Sequence, residues 1–224
     1  MILRKKRAAP RPDTETLPLG RRLPIQMRGL KTCFRILDAA SSLLTHMPLD
    51  DVTTTRIAAK AGLSIGALYR FFPDKQTIID GIAVRHVGQF RTSLEAKIVQ
   101  PLLRELENLE TFDPAMLLDS MIDAYVAYLD AHPDFRTISF DHHISAPTKE
   151  HEASPNTGLP ALLKNFMLER LAIPNTPELD LKLRVVSEAG ERLIAYAFEQ
   201  PTPDERNRIV AEMKKMLAGY LFPG

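Results

Sequence analysis

Between Pro48 and Pro73 the side chains divide the chain into two short helices and a tight link, and few other local structures suit that order of residues. Thr53, Thr54 and Thr55 stand before Ile57, Ala58 and Ala61, where a threonine hydroxyl can accept from an unpaired amide of a first helical turn. Gly62 closes that helix, and Leu63 and Ser64 follow. Ser64 is placed to cap a second helix carrying Leu68, Tyr69 and Phe72, which Pro73 stops. Lacking a Cβ, Gly62 can take a positive φ at low cost, so the two helices can cross steeply with Ala58 and Leu68 packed beneath them. Two short helices joined in this way have the dimensions of a helix-turn-helix.

The flanking sequence supplies the rest of such a unit. Cys33, Ile36, Leu37, Ala40, Leu43 and Leu44 recur at spacings of three and four, which predicts an amphipathic helix from about Gly29 to His46 with Cys33 as a small buried apolar group. Asp74 is placed to cap the helix after Pro73. Further along, Asp113 with Pro114, Thr176 with Pro177 and Thr202 with Pro203 each set a capping side chain before a proline, a pairing that marks helix starts. No alternating strand pattern and no Asn-Gly or Asp-Gly hairpin signal interrupts them. The chain reads as all-α: a flexible basic arm over 1–27, a helix-turn-helix domain over 28–75, and a larger helical domain over 76–224. Residues 141–158 mix Pro, Ser, His and charge without a period and read as a loop.

Charge sorts along the same boundary. The net value of +1 hides 14 Lys plus Arg against 6 Asp plus Glu in residues 1–75, and 15 against 22 in the remainder. A basic end suits phosphate neutralisation, while an acidic remainder is repelled from a duplex and defines the direction of approach. The arm residues Arg4, Lys5, Lys6, Arg7, Arg11, Arg21 and Arg22, with Arg28 at the domain boundary, are placed to follow phosphates or enter a minor groove. No apolar run is long enough to span a bilayer, the N-terminus lacks the apolar stretch of a secretory signal, and the lone Cys33 offers no internal disulfide. These features lead to the expectation of a cytoplasmic protein with no membrane partner.

The stretch from Thr53 to Ile79 closely resembles the TetR family of repressors. Ile57, Ala58, Ala61, Gly62, Ser64, Gly66, Leu68, Tyr69, Phe72 and Lys75 match the family pattern at fixed spacing, and Ile36–Leu44 is similar to its first helix. The resemblance covers about residues 28–82. It implies that Tyr69 and Lys75 contact phosphates and that Thr53 and Thr55 sit near the DNA backbone at the start of the second helix. It further implies that Ile65, Ala67 and Arg70 face the groove, beside the small Ser64 and Gly66. Phe71 stands where many members have a phosphate-touching histidine, and Ala67 where polar side chains are common, which shifts base readout toward Arg70. The partner implied is a double-stranded DNA operator.

For the larger domain the resemblance implies effector binding and dimerisation. Phe90, Leu94, Met116, Met121, Tyr125, Tyr128, Phe135, Phe140, Phe166, Met167 and Tyr196 are candidates to line an apolar cavity for a small effector, although aromatics and methionines at helical spacing mostly pack cores. Two long amphipathic helices, about Glu178–Glu199 and Asp204–Tyr220, carry Ala189, Gly190, Ala195 and Ala197 and suit a four-helix homodimer seam. His142 and His143, with Asp141, Glu150, His151 and Glu152, have the chemistry but not the spacing of a metal site, and the sequence calls for no metal or cofactor. A helical enzyme is the rival from another class, but no nucleophile elbow, phosphate loop or dinucleotide fingerprint supports it. A ligand-independent DNA-binding protein would share the first domain and lack the cavity.

Overall fold

The computed structural model describes residues 27–101, 113–140, 143–154 and 158–222, and among them every regular element is a helix. The arm ahead of Met27, together with Asp141 and His142, lies outside the described residues, as does the side chain of Arg28. Helix α1 spans Met27–Leu44 and is followed by a 3-10 turn over Leu49–Asp51. Then come α2 (Thr54–Lys60), α3 (Ile65–Tyr69) and α4 (Lys75–Leu94), the last running on through a π-helical stretch, Glu95–Val99. The remainder consists of α5 (Pro114–Ala131), α6 (Pro133–Ser139), α7 (Ala146–Ala153), α8 (Pro160–Arg170), α9 (Pro177–Phe198) and α10 (Pro203–Leu221).

The caps do what their chemistry allows. Thr53, Ser64, Asp74, Asp113, Thr176 and Thr202 each accept a backbone amide of the helix they precede, so six helix starts are written by one side chain apiece. Gly62 has φ of +65°, the conformation its place in the link demands. Arg35 of α1 donates to the Ala61 carbonyl at the end of α2, which fixes the first helix against the second. Ile36, Ile57, Leu68, Ile78 and Ile82 are essentially without exposure and form one core under α1–α4, with Ala58 beside them. Cys33 is buried there too, and burial pushes its thiol pKa up.

Two expectations are corrected. The segment 141–158 is not wholly a loop: Ala146–Ala153 is helix α7, with Pro147 in its first turn. The signal was a proline one place inside a helix start. It was obscured because Ser145 forms no side-chain cap and its hydroxyl bonds Thr148 instead. The small residues of α9 also serve a different neighbour. Gly190 is buried, and a Cβ built there would lie 3.5 Å from Leu217 of α10 in the same chain. Ala195 and Ala197 are buried as well, so these three small residues are taken up by burial within one chain. The apolar side chains left outside on this pair are Leu181, Val185, Tyr196, Met216 and Tyr220.

Helix α4 belongs to both halves. It packs on α1 of the DNA-binding half and on α5, α6 and α7 of the larger half. Gly81, at its middle, lets Leu37 of α1 come so close that a Cβ would sit 3.1 Å from the leucine methyl.

Candidate DNA-binding surface and interior cavity

Thr53, Thr55, Ser64, Ile65, Gly66, Tyr69 and Arg70 are all exposed, while Ala67 is partly covered. The fold brings these predicted residues together on α2 and α3, because Leu68 points inward as the anchor of α3 and turns the other positions out. Ile65 is 40% and Tyr69 45% exposed, which is high for large apolar and aromatic groups and leaves them available to a partner surface. Gly66 has open space where a Cβ would stand. The Tyr69 hydroxyl lies 3.1 Å from the Thr54 hydroxyl, so α3 and α2 are joined at their outer edge by a bond the sequence did not announce. Lys75 is partly buried, and its amine donates to the Leu49 carbonyl at 2.7 Å. That bond ties the start of α4 to the 3-10 turn, and phosphate contact by Lys75 requires sharing or exchanging it. Arg56 similarly donates to the Asp51 carbonyl at 2.8 Å.

Behind this surface, α1 and α4 are fastened to the larger half by polar groups. Arg85 of α4 bonds Asp38 at 2.6 Å and the Ser41 hydroxyl at 2.9 Å, both on α1. The next residue, His86, is buried. Its Nε2 lies 3.0 Å from Asp134 of α6, its Nδ1 lies 2.9 Å from the Tyr128 hydroxyl of α5, and its ring stacks on Phe135. Burial alone would raise the Asp134 carboxyl, but hydrogen bonding and attraction from His86, with Ser41 as a further donor, hold it down to about 2. His132 at the head of α6 is shifted downward, first by burial and then by His86. Asp80, 1% exposed, accepts from the Ser145 amide at 2.9 Å and from Gln76 at 3.0 Å, which anchors the start of α7 to α4. Apart from Tyr128 and Phe135, which were expected at a cavity, none of these groups stood out in the sequence. A histidine and two aspartates within apolar helical stretches were the available signal.

The larger half contains a partly open cavity of about 200 Å³. Ala83, Val87 and Phe90 of α4 form one side, and Leu118, Met121, Ile122 and Tyr125 of α5 another. Side chains from α6 to α10 complete it, including Phe135, Leu163, Leu183, Ile194 and Leu217. Of the residues expected at such a site, Phe90, Met121, Tyr125 and Phe135 line this cavity, and the others do not. Leu94 packs beside Phe90 and Leu162, and Tyr128 bonds His86 instead. Phe166 and Met167 are buried in the core, and Met116 and Tyr196 face outward. Phe140 packs at 5.8 Å against Phe198 in a separate, more polar cleft near Leu49 and Arg136. Lys149, Glu152 and Glu191 carry the charge of the wall; sequence reasoning missed Lys149 and Glu191 and named Glu152 only in the His and acid cluster weighed as a metal site. Lys149 pairs with Glu191 at 3.1 Å. The Tyr125 phenol is pushed up, chiefly by burial and then by Glu191, and burial raises the Glu152 carboxyl. Among the described residues no group of three or more His, Cys, Asp or Glu side chains is arranged to hold a metal ion, and no helix is long and apolar enough to cross a membrane.

An exposed helix-turn-helix edge carried on an all-helical body defines a transcriptional regulator of the helix-turn-helix class. The sequence model for bacterial regulatory proteins of the tetR family matches residues 36–82, and that for the tetracyclin repressor-like C-terminal domain matches residues 113–221. The chain belongs to the TetR family and is a DNA-binding transcriptional regulator. A TetR-family regulator from Streptomyces coelicolor superposes with a TM-score of 0.62 at 25% identity, over 85% of this chain and 97% of that one. RolR in complex with resorcinol gives 0.61 at 16% identity over 87% and 95%. FadR, a fatty acid degradation regulator from Bacillus halodurans, gives 0.56 at 16% over 85% and 96%. The last two show a shared fold. No curated protein matches the sequence.

Proposed function

We propose that this regulator is a cytoplasmic homodimeric repressor that leaves its operator when a small, largely apolar effector fills the cavity. The observation that carries the reading is the course of α4. Its first residue, Lys75, is tied to the 3-10 turn of the DNA-binding half, and about two to four turns on, Ala83, Val87 and Phe90 form one side of the cavity. A ligand that favours one position of α4 therefore favours one position of the reading head, and a coupling of about 1 to 3 kcal/mol changes operator affinity roughly 5- to 150-fold. RolR, of the same fold, was solved with resorcinol, a small aromatic molecule, which is in keeping with an effector of this size.

In this reading residues 28–75 are the DNA-reading domain, 76–224 bind the effector and dimerise, and 1–27 form an arm that follows the duplex. Tyr69 and Lys75 contact phosphates, Thr53 and Thr55 lie along the backbone, and Ile65, Ala67 and Arg70 face the major groove beside Ser64 and Gly66. The outward Leu181, Val185, Tyr196, Met216 and Tyr220 of α9 and α10 form the dimer seam, since two recognition helices must be held about 34 to 36 Å apart to enter successive major grooves.

Footprinting on the DNA upstream of the chain's own gene, followed by titration of the complex with small apolar and aromatic compounds, tests the whole reading. A protected palindrome released by at least one compound is expected. Protection that no compound of this kind relieves favours the ligand-independent alternative. Lys75→Ala should weaken binding evenly across sequences and flatten the salt dependence by about one phosphate contact, whereas an Arg70 substitution should relax sequence preference. An unaltered salt slope would remove Lys75 from the contact set.

A further inference from the structure

The cavity is mostly apolar, but the charges in its wall do not balance. Among the described residues that line it, Glu152 and Glu191 stand against Lys149 alone. The Lys149 amine is matched to Glu191 at 3.1 Å, which leaves Glu152 as the second lining carboxylate against a single lining cation, with Arg91 and His151 acting on it from outside the lining. Glu152 lies on α7 and is half-buried. Burial raises its pKa and His151 and Arg91 draw it partway back, the behaviour of a carboxylate whose water has been only partly replaced. The field at this end of the cavity is also read by a neighbour, because Glu191 adds to burial in resisting ionisation of the Tyr125 phenol. Tyr125, Ser187 and Ser139, the last with its hydroxyl donated to the Phe135 carbonyl at 2.8 Å, are the uncharged polar side chains of the lining.

We propose that the cavity takes an apolar molecule whose polar head is a hydrogen-bond donor, a hydroxyl or an amine, received by Glu152, and that it discriminates against carboxylates. This rests on the reading of the cavity as an effector site and names the chemistry of its ligand. A donor head meets a carboxylate in a charge-assisted hydrogen bond, among the stronger polar contacts a partly desolvated site can offer. A carboxylate head of similar shape faces the opposite terms. It would approach Glu152 with like charge, and to find a cation it must take Lys149 from Glu191, leaving that carboxylate unpaired in a low-dielectric wall.

The test uses the full chain and four probes with one shared apolar skeleton: 4-butylphenol, 4-butylbenzylamine, 4-butylbenzoate and butylbenzene, each titrated by calorimetry. The phenol, the amine or both should bind about tenfold or more tighter than the benzoate, the scale of one hydrogen bond to a charged group. A tight phenol with a weak amine identifies a neutral hydroxyl head, and the reverse order a cationic one. In Glu152→Gln the gap to the benzoate should shrink to about threefold or less while butylbenzene affinity is unchanged. The wild-type series stands without the variant, and a melting curve verifies the variant's fold. Benzoate binding as tightly as either donor overturns the proposal and leaves the cavity reading in place. A gap that survives Glu152→Gln overturns the assignment to Glu152. If none of the four binds, butylbenzene included, the cavity reading fails and this proposal with it.

Discussion

The residues from Thr53 to Phe72 and those around the cavity are both made of helices with apolar faces, yet they are specified in different ways. In the first region each step is local. Thr53 and Ser64 bond amides three residues ahead, Gly62 takes the one positive φ the link needs, and Leu68 has no exposure. In the second, Phe90, Tyr125, Lys149, Glu191 and Leu217 come from five helices and meet only after the chain has folded. A close-packed head can hold its exposed edge rigidly toward DNA. A body with a void keeps fewer contacts at that place, and a ligand can supply the missing ones.

The largest expected effect contrasts the two kinds of packing. Leu68→Ala should cost about 2 to 5 kcal/mol in urea unfolding, because the head has no room to absorb the lost methyls, whereas Met121→Ala at the cavity wall should cost less than about 2. Equal losses would show that the void does not relax its lining. Next, Gly66→Glu should leave the melting temperature almost unaltered, since nothing occupies the space of its Cβ. It should also weaken operator binding about a hundredfold by setting a carboxylate against phosphate. A variant that binds DNA normally would take this edge out of the interface.

Asp134→Asn addresses the polar seam between the halves. The Asp134 carboxyl is held at about 2 from an ordinary 3.8. A depressed carboxylate contributes stability that is present above its unfolded pKa and lost as pH falls through the folded one. The native protein should therefore lose on the order of 2 kcal/mol from this group between about pH 4 and pH 2. Denaturation curves of the Asn variant should lack that component and start from lower stability at pH 7, and parallel pH profiles for the two proteins would refute the coupling. The smallest effect expected is at Ala172, which has φ of +51° after α8, where the Ile173 amide returns to the Met167 carbonyl at 3.1 Å. Ala172→Gly should add about 0.5 to 1 kcal/mol by relieving strain. A loss instead would mean that chain entropy outweighs it.

How far the molecule could be read in advance follows the same division. Helix starts at Thr53, Ser64, Asp74, Asp113, Thr176 and Thr202 were visible because capping joins a side chain to amides two or three residues away. Helix α7 was not, since Ser145 gives its hydroxyl to Thr148 and supplies no such signature. Phe90, Met121 and Tyr125 were named among the residues expected at a cavity, but so were Leu94, Tyr128, Phe140, Phe166 and Tyr196. Periodicity marks an apolar face without saying whether that face meets a neighbour, a void or solvent.

The order of residues alone determined the helical class, the helix-turn-helix with its exposed edge and the family, because caps, a positive-φ glycine and an inward Leu68 act over a few residues. Only the tertiary structure decided that His86 would join Asp134 and Tyr128, that Gly190 would receive Leu217 of its own chain, and that Lys149, Glu152 and Glu191 would stand around one void. Those meetings depend on how six helices stack, a balance of many small contact energies spread along the chain that no short stretch encodes.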